Sequence, residues 1–274
     1  MCDTVRRQCN FLIPESIVVS KGANAVVSYL HYYFSRYSFG ERSMHLHANN
    51  CVGQNKNNIV CWYLAYRIMQ NLNHDIVLSF LPVGHTKFGP DYAFGIFKKS
   101  YNKSEAHTLN DVVNIIESST TNSHLNFAEL TGDEQGFIFI NVNDWKGYFE
   151  SKGAKILPGI TKFGHFHFSR EWPGEVKFQH ESDSTLFSFQ FFDPKTSFTD
   201  EPEILEPEGL SAARQQYLYD KIRPFCREYA KDIVCPKPPD KLLSQESRKT
   251  EPSGPPENEK PKRRTAKKKK LITL

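Results

Sequence analysis

The chain has 274 residues, 39% hydrophobic and 13% aromatic, enough to bury the core of one large domain or two small ones. Its net charge of +4 is uneven. From Lys241 onward 11 Lys and Arg face 4 Asp and Glu, so residues 1–240 carry −3 and imply no broad basic surface for tight non-specific DNA binding. No apolar run reaches membrane-spanning length, residues 1–7 do not resemble a signal peptide, and six scattered cysteines without a Cys-x-x-Cys pair suit reduced thiols in cytosol or nucleus.

Taken in order, residues 9–19 (CNFLIPESIVV) read as a short strand broken at Pro14. Lys21-Gly22-Ala23-Asn24 leads into a helix with Ala23, Val26, Val27, Leu30 and Phe34 at helical spacing, and Gly40 suits its end. Residues 44–48 make a strand with Met44, Leu46 and Ala48 on one face and His45 and His47 on the other. Asn57 or Asn58 caps a helix running to about Gln70, and residues 76–83, apolar on both faces, read as a central strand. Pro90 suits the first turn of a helix over 91–99, and residues 109–118 form an amphipathic helix capped by Thr108 or Asn110. Beyond it, residues 127–142, 161–168 and 176–192 are strand-like, and 143–151 suggests a short helix. An acidic, proline-containing linker at 201–209 precedes a helix over 211–230, interrupted or kinked by Pro224. From Cys235 onward Pro, Ser, Glu and Lys dominate, the composition of a disordered tail.

The unusual chemistry gathers between residues 44 and 91. Two apolar strands there end in polar turns, as in open α/β sheets, which collect ligands beyond the carboxyl ends of their strands. The run Asn49-Asn50-Cys51-Val52-Gly53-Gln54-Asn55-Lys56-Asn57-Asn58 carries carboxamides and one lysine ahead of a helix N-terminus, a loop able to grip phosphate or sugar. A turn with an N-cap also selects Asn and Gly, but a cap needs one Asn. Gly84-His85-Thr86-Lys87 followed by Asp91 brings an imidazole, an ammonium and a carboxylate to the end of a buried strand, although Asp91 also suits a helix first turn. His45 with His47 and His165 with His167 each put two imidazoles on one strand face, and zinc binding would need a third ligand that their spacing does not supply. The basic run at 262–270 fits a nuclear-import signal, a flexible nucleic-acid contact or a merely solvated tail.

Through these residues the chain resembles a large group of animal proteins that share a domain of unknown function and look derived from transposable elements. The resemblance runs from about Asn10 to Pro238. It includes Lys21-Gly22-Ala23-Asn24, residues 45–58, residues 83–95, and residues 209–236 with Arg214, Tyr217-Leu218-Tyr219, Ile222-Arg223-Pro224-Phe225 and Cys235-Pro236. That domain is similar to the RNase H-like core of DDE-type transposases and integrases. The resemblance implies an α/β fold, a mixed RNase H-like sheet flanked by helices, with residues 9–19 as its third strand and 44–48 as its fourth. Such cores cluster carboxylates around two Mg²⁺ or Mn²⁺ ions for phosphodiester transfer. This chain departs from the pattern at Asn49, where the family has Asp, and an upstream strand bearing the first acidic ligand would lie before residue 1. Asp91 is then the one carboxylate left, a weak metal ligand beside a neutral amide.

The expectation is therefore an RNase H-like sheet without its first strands over residues 1–120, a β-rich extension with a C-terminal helix over 121–238, and a disordered basic tail over 239–274. The leading functional expectation is a catalytically inactive transposon-derived domain. It would need no cofactor, and Asn50, Gln54, Asn55, Lys56, Asn57, His85 and Lys87 would contact DNA or RNA. The alternatives are a metal-dependent nuclease or transposase in a full-length form, and a scaffold binding a protein partner or a missing N-terminal segment. No membrane contact is expected, and the location is nuclear or cytoplasmic, with the basic run favouring the nucleus.

Overall fold

The computed structural model describes residues 7–38, 40–81, 89–120, 125–132, 140–182 and 184–239. Strand β1 (Gln8–Leu12) is shorter than the expected 9–19. Pro14, which has no N–H to give a ladder, ends it, and a 3-10 turn follows at Glu15–Ile17. Helix α1 (Ala23–Tyr37) buries Ala25, Val27 and Tyr33. The Asn24 side chain fastens its start across the chain, donating to Asp144 Oδ1 (3.0 Å) and accepting from the Lys146 N–H (2.9 Å).

Strand β2 (Ser43–Ala48) leads into helix α2 (Asn58–Met69), which Asn57 caps by accepting from the Val60 N–H at 3.1 Å. Almost every residue of α2 from Val60 to Ile68 is buried, the signature of a helix enclosed on all sides. Its one charge, on Arg67, is retained by donation to Asn73 Oδ1 (2.7 Å) and Tyr63 Oη (3.1 Å) and by stacking over Phe34 (4.6 Å). Strand β3 (Asp75–Phe80) follows. Helix α3 (Gly89–Tyr101) and helix α4 (Leu109–Ser118) come next, the latter opened by a capping box between Thr108 and Asp111. Strand β4 (Asn126–Leu130) pairs in parallel with β1, and Phe97, Ile115 and Ile116 bury against Leu12 and Ala128 to form a small second core.

Helix α5 (Trp145–Ser151) precedes strand β5 (His165–Ser169), strand β6 (Glu175–Gln179) and strand β7 (Phe187–Gln190). The expected run 176–192 is thus two strands. A turn splits it where Ser184 Oγ accepts from the Glu181 N–H (3.0 Å) and Glu181 O accepts from the Ser184 N–H (3.1 Å). Between β5 and β6, Gly174 sits at φ +79° with the Phe192 carbonyl oxygen 2.5 Å from where a Cβ would stand, a place closed to any larger residue.

The main sheet runs β2-β3-β5-β6-β7, with β2 parallel to β3 and the other neighbours antiparallel. It is a mixed α/β sheet flanked by helices. Strands on both sides of residue 120 share it, so one core spans that position. β1 lies outside this sheet. Residues 9–19, expected as the third strand of the same sheet as 44–48, supply β1 to a separate two-stranded pair with β4, which gives one edge of β1 a partner.

Alternation along the strands separates two faces. Leu46, Ile76, Leu78, Phe80, Phe166, Phe168, Val176 and Phe178 point to α2, with α1 and α5 behind it, and build the large core. Full burial of each such side chain contributes roughly 1.5–3 kcal/mol, so the sheet is anchored from this side. The opposite face carries His45, His47, Val77, Ser79, His165, His167, Lys177 and Gln179.

Towards the C-terminus, the expected helix over 211–230 is broken rather than kinked. Helix α6 (Ala212–Tyr217) is capped by Ser211 and runs into a π-type turn at Leu218–Ile222. A 3-10 turn at Arg223–Phe225 contains Pro224, and helix α7 (Glu228–Val234) starts afresh. Pro224 removes an N–H and crowds the preceding carbonyls, which ends regular α-hydrogen bonding there. No helix among the described residues is long and apolar enough to cross a membrane.

Candidate functional site

The polar loop at 49–58 closes the carboxyl end of β2. Asn49 Oδ1 accepts from the Cys51 N–H (3.0 Å) and from the Asn55 amide (2.8 Å), an Asx turn with a second tie. Cys51 O accepts the N–H groups of Gln54, Asn55 and Lys56 at 2.7–3.2 Å, winding the backbone tightly. The Asn50 amide donates to the Leu81 carbonyl, joining the ends of β2 and β3, while Asn50 Oδ1 accepts from Lys56 Nζ at 2.8 Å. Gln54 donates to Lys21 O (3.1 Å) and Asn57 to Val52 O (3.0 Å). Each of the five carboxamide and lysine side chains of this loop expected to contact nucleic acid therefore has an intramolecular partner. Lys56 is the most enclosed, only 8% exposed with its ammonium 5.0 Å from the centre of the Phe80 ring, and burial pushes its pKa down.

Asp91 stands exposed in the first turn of α3, a favourable place for a carboxylate. That helix packs with α4, and Ala93 O accepts from Asn126 of β4, so Asp91 stands on a helix of the small second core and Asn49 at the end of a main-sheet strand. His85 and Lys87 lie outside the described residues. Among the described residues no group of three or more His, Cys, Asp and Glu stands close enough to hold a metal ion.

What the strands do bring together is a groove of about 850 Å³ over the polar face of the sheet. Register explains its floor. His47, Ser79 and His165 are cross-strand partners on β2, β3 and β5, and His45, Val77 and His167 form the next row. Strands lie about 4.8 Å apart, so an imidazole in the same row and one diagonal to it on the other neighbouring strand can both reach a side chain between them. Ser79 is that side chain: His45 Nε2 and His165 Nδ1 each lie 2.9 Å from its Oγ. His47 stacks on His45 with ring centres 4.3 Å apart. Burial, together with the charge that His47 and His165 can carry, pushes the His45 pKa down.

Around this floor stand Asn50, Lys56, Lys162, Lys177, Gln179, His180 and Glu181. His167 Nε2 faces Asp75 Oδ1 at 3.6 Å, and Lys177 Nζ sits 3.4 Å from the centre of the Trp172 ring. Among the described residues, five imidazoles and three ammonium groups against one carboxylate, Glu181, make a lining that favours anions.

A family model described as a domain of unknown function (DUF7869) matches residues 6–185, well over half of the chain. The chain belongs to the DUF7869 family. The matched DUF7869 region takes in β1 through β6, and with them the loop at 49–58, Ser79 and both histidine pairs; β7 and the segment from 209 to 236 lie beyond it. No curated protein and no solved structure matches the chain.

Sequence reasoning picked out both histidine pairs of this DUF7869 domain by their period of two, but not Ser79, Lys162 or Lys177. No signal along the chain places β5 beside β3, and only that neighbourhood turns two separate pairs into one floor.

Proposed function

We propose that the chain is a nucleic-acid-binding relative of RNase H-like, DDE-type cores that lacks their two-metal catalysis. One observation carries the reading: the imidazole- and lysine-lined groove over the sheet, with the amide-rich loop at its end. Nucleic-acid backbones are held by Lys, Asn, Gln and Ser donors of this kind, and a sheet face with period-two polar side chains offers them in rows. The basic run at 262–270 would add a charged contact and direct the chain to the nucleus.

Inactivity is supported by Asn49. A neutral amide contributes no charge to offset two divalent ions, and its oxygen is already engaged by Cys51 and Asn55. Mg²⁺ or Mn²⁺ would belong to a relative with Asp at this position.

The test is fluorescence anisotropy with labelled single- and double-stranded DNA and RNA at about 50 and 200 mM salt. The purified chain is expected to bind at the lower salt, and Lys162→Glu with Lys177→Glu to abolish binding without shifting thermal unfolding. Undiminished binding by that variant would remove the groove from the reading. Magnesium-dependent cleavage or joining would overturn inactivity and favour a metal-dependent nuclease.

A second reading, a protein-binding scaffold, is favoured by the exposed apolar side chains of Tyr217, Phe225, Tyr229 and Ile233 near the C-terminus. A concentration-dependent mass in light scattering, with no nucleic-acid binding, would select it.

A further inference from the structure

We propose that His45, Ser79 and His165 form a proton-gated site for a phosphate group on the floor of the groove. The identity of the ligand as a nucleic-acid phosphate rests on the function proposed above; the site itself rests on the geometry of three side chains.

A serine hydroxyl has one proton to donate and two lone pairs to accept with. His45 Nε2 and His165 Nδ1 both converge on Ser79 Oγ at 2.9 Å. With neutral rings the hydroxyl donates to one imidazole and accepts from the other, so the two facing nitrogens and the hydroxyl satisfy one another and the hydroxyl proton is not available to the groove. Protonation turns both facing nitrogens into N–H donors. They then fill the two lone pairs of Oγ, and the hydroxyl proton must find an acceptor elsewhere. Acid thus delivers positive charge and a free O–H donor to the same spot. A phosphate, rich in acceptor oxygens and negatively charged, answers both.

The surroundings set how readily this happens. From β2 the stacked His47 opposes a charge on His45. From β5 comes His167 with the Asp75 carboxylate of β3 beside it, and from β6 Lys177. The loops add Lys56, Lys162, His180 and Glu181. The ammonium groups attract an anion, while burial and the neighbouring His47 and His165 resist a charge on His45. A bound anion relieves that resistance, so proton and anion each strengthen the binding of the other.

Sulfate is the probe of choice, because it keeps its charge over the whole range in which histidine titrates. It should bind the full chain at least about tenfold more tightly at about pH 5.5 than at about pH 8, measured by calorimetry. Sulfate should also raise the imidazole pKa values followed by NMR. His45→Gln with His165→Gln should reduce the affinity gap to under about twofold. Ser79→Ala should weaken binding at the lower pH while leaving part of the gap. Equal sulfate affinity at both pH values, or an undiminished gap in the double histidine variant, would overturn the proposal. Should that variant unfold, imidazole pKa values unmoved by sulfate in the unaltered chain would overturn it equally. A sulfate gap without nucleic-acid binding at either pH would keep this site and remove the nucleic-acid reading. Nucleic-acid binding without a sulfate gap would do the reverse.

Discussion

Lys56 is the residue on which the two possible roles of the 49–58 loop diverge most sharply. Its ammonium is enclosed, donates to Asn50 Oδ1 at 2.8 Å and lies 5.0 Å from the centre of the Phe80 ring. Lys56→Met keeps the apolar stem and removes these interactions. A hydrogen bond to a charged group contributes roughly 1.5–3 kcal/mol and a partly exposed cation–π contact about 0.5–1 kcal/mol. Part of this is offset because a buried charge no longer has to be desolvated. A net loss of about 2 kcal/mol is expected, read as a lower midpoint in urea unfolding with an unchanged slope. Asn50→Ala should cost a similar amount, since that side chain also ties β2 to the Leu81 carbonyl. Because the two act on one bond, the double-mutant cycle should return a coupling of about 1–2 kcal/mol. A coupling under about 0.5 kcal/mol would refute the reasoning. If such a result came with loss of nucleic-acid binding in Lys56→Met, the ammonium would be turned towards ligand in solution instead.

Trp145→Ala should destabilise the chain by about 3–5 kcal/mol in thermal or urea unfolding. The ring is 2% exposed, stacks on Phe149 at 5.6 Å and donates to Ser28 Oγ at 3.0 Å; a loss below about 1 kcal/mol would contradict that packing. His31 and His45 both have pKa values pushed below 6.5, first of all by burial, so the unfolded chain takes up protons before the folded one does. Their stability contribution should be complete above pH 6.5 and disappear as pH falls through the two lowered values, and urea midpoints that stay level over this range would break the expectation. Asn49→Asp keeps an oxygen acceptor for Cys51 and Asn55, so it should change stability by no more than about 0.5 kcal/mol while adding the missing charge. Because Asp91 stands on α3 and position 49 at the end of a main-sheet strand, calorimetry is expected to detect no magnesium binding at millimolar concentration in either chain. A magnesium gain in the variant that Asp91→Ala abolishes would instead bring the two positions together.

Local chemistry was legible where it acts locally. The Asn57 cap on α2, the Thr108 cap on α4 and the central position of β3 all follow from spacing and residue type within a few positions. The histidine alternation likewise identified a polar sheet face. What escaped was anything fixed by strand order. The triple of His45, Ser79 and His165 depends on β5 returning antiparallel beside β3, a pairing between segments with helices α3, α4 and α5 and strand β4 between them. The loop at 49–58 shows a different limit: composition reveals that its carboxamides are polar, but not whether they face a ligand or one another. Here Asn49, Asn50, Gln54, Asn55 and Asn57 have partners within the chain. In the same way, Pro14 signalled a break in residues 9–19, yet the strand itself stops at Leu12 and takes its partner from β4.

The position of β3 also has a consequence in time. Its sequence DIVLSF pairs on one side with β2, completed just before it, and on the other with β5, which is made about 85 residues later. At roughly 5–20 residues per second of synthesis, the second edge stays without its partner for several seconds. During that interval an apolar, β-prone strand with its backbone donors and acceptors open is the kind of segment that joins a neighbouring chain. Folding yield in the cell should therefore depend on whatever shields residues 75–80 until β5 emerges, and slowing translation between β3 and β5 should increase aggregation of the nascent protein.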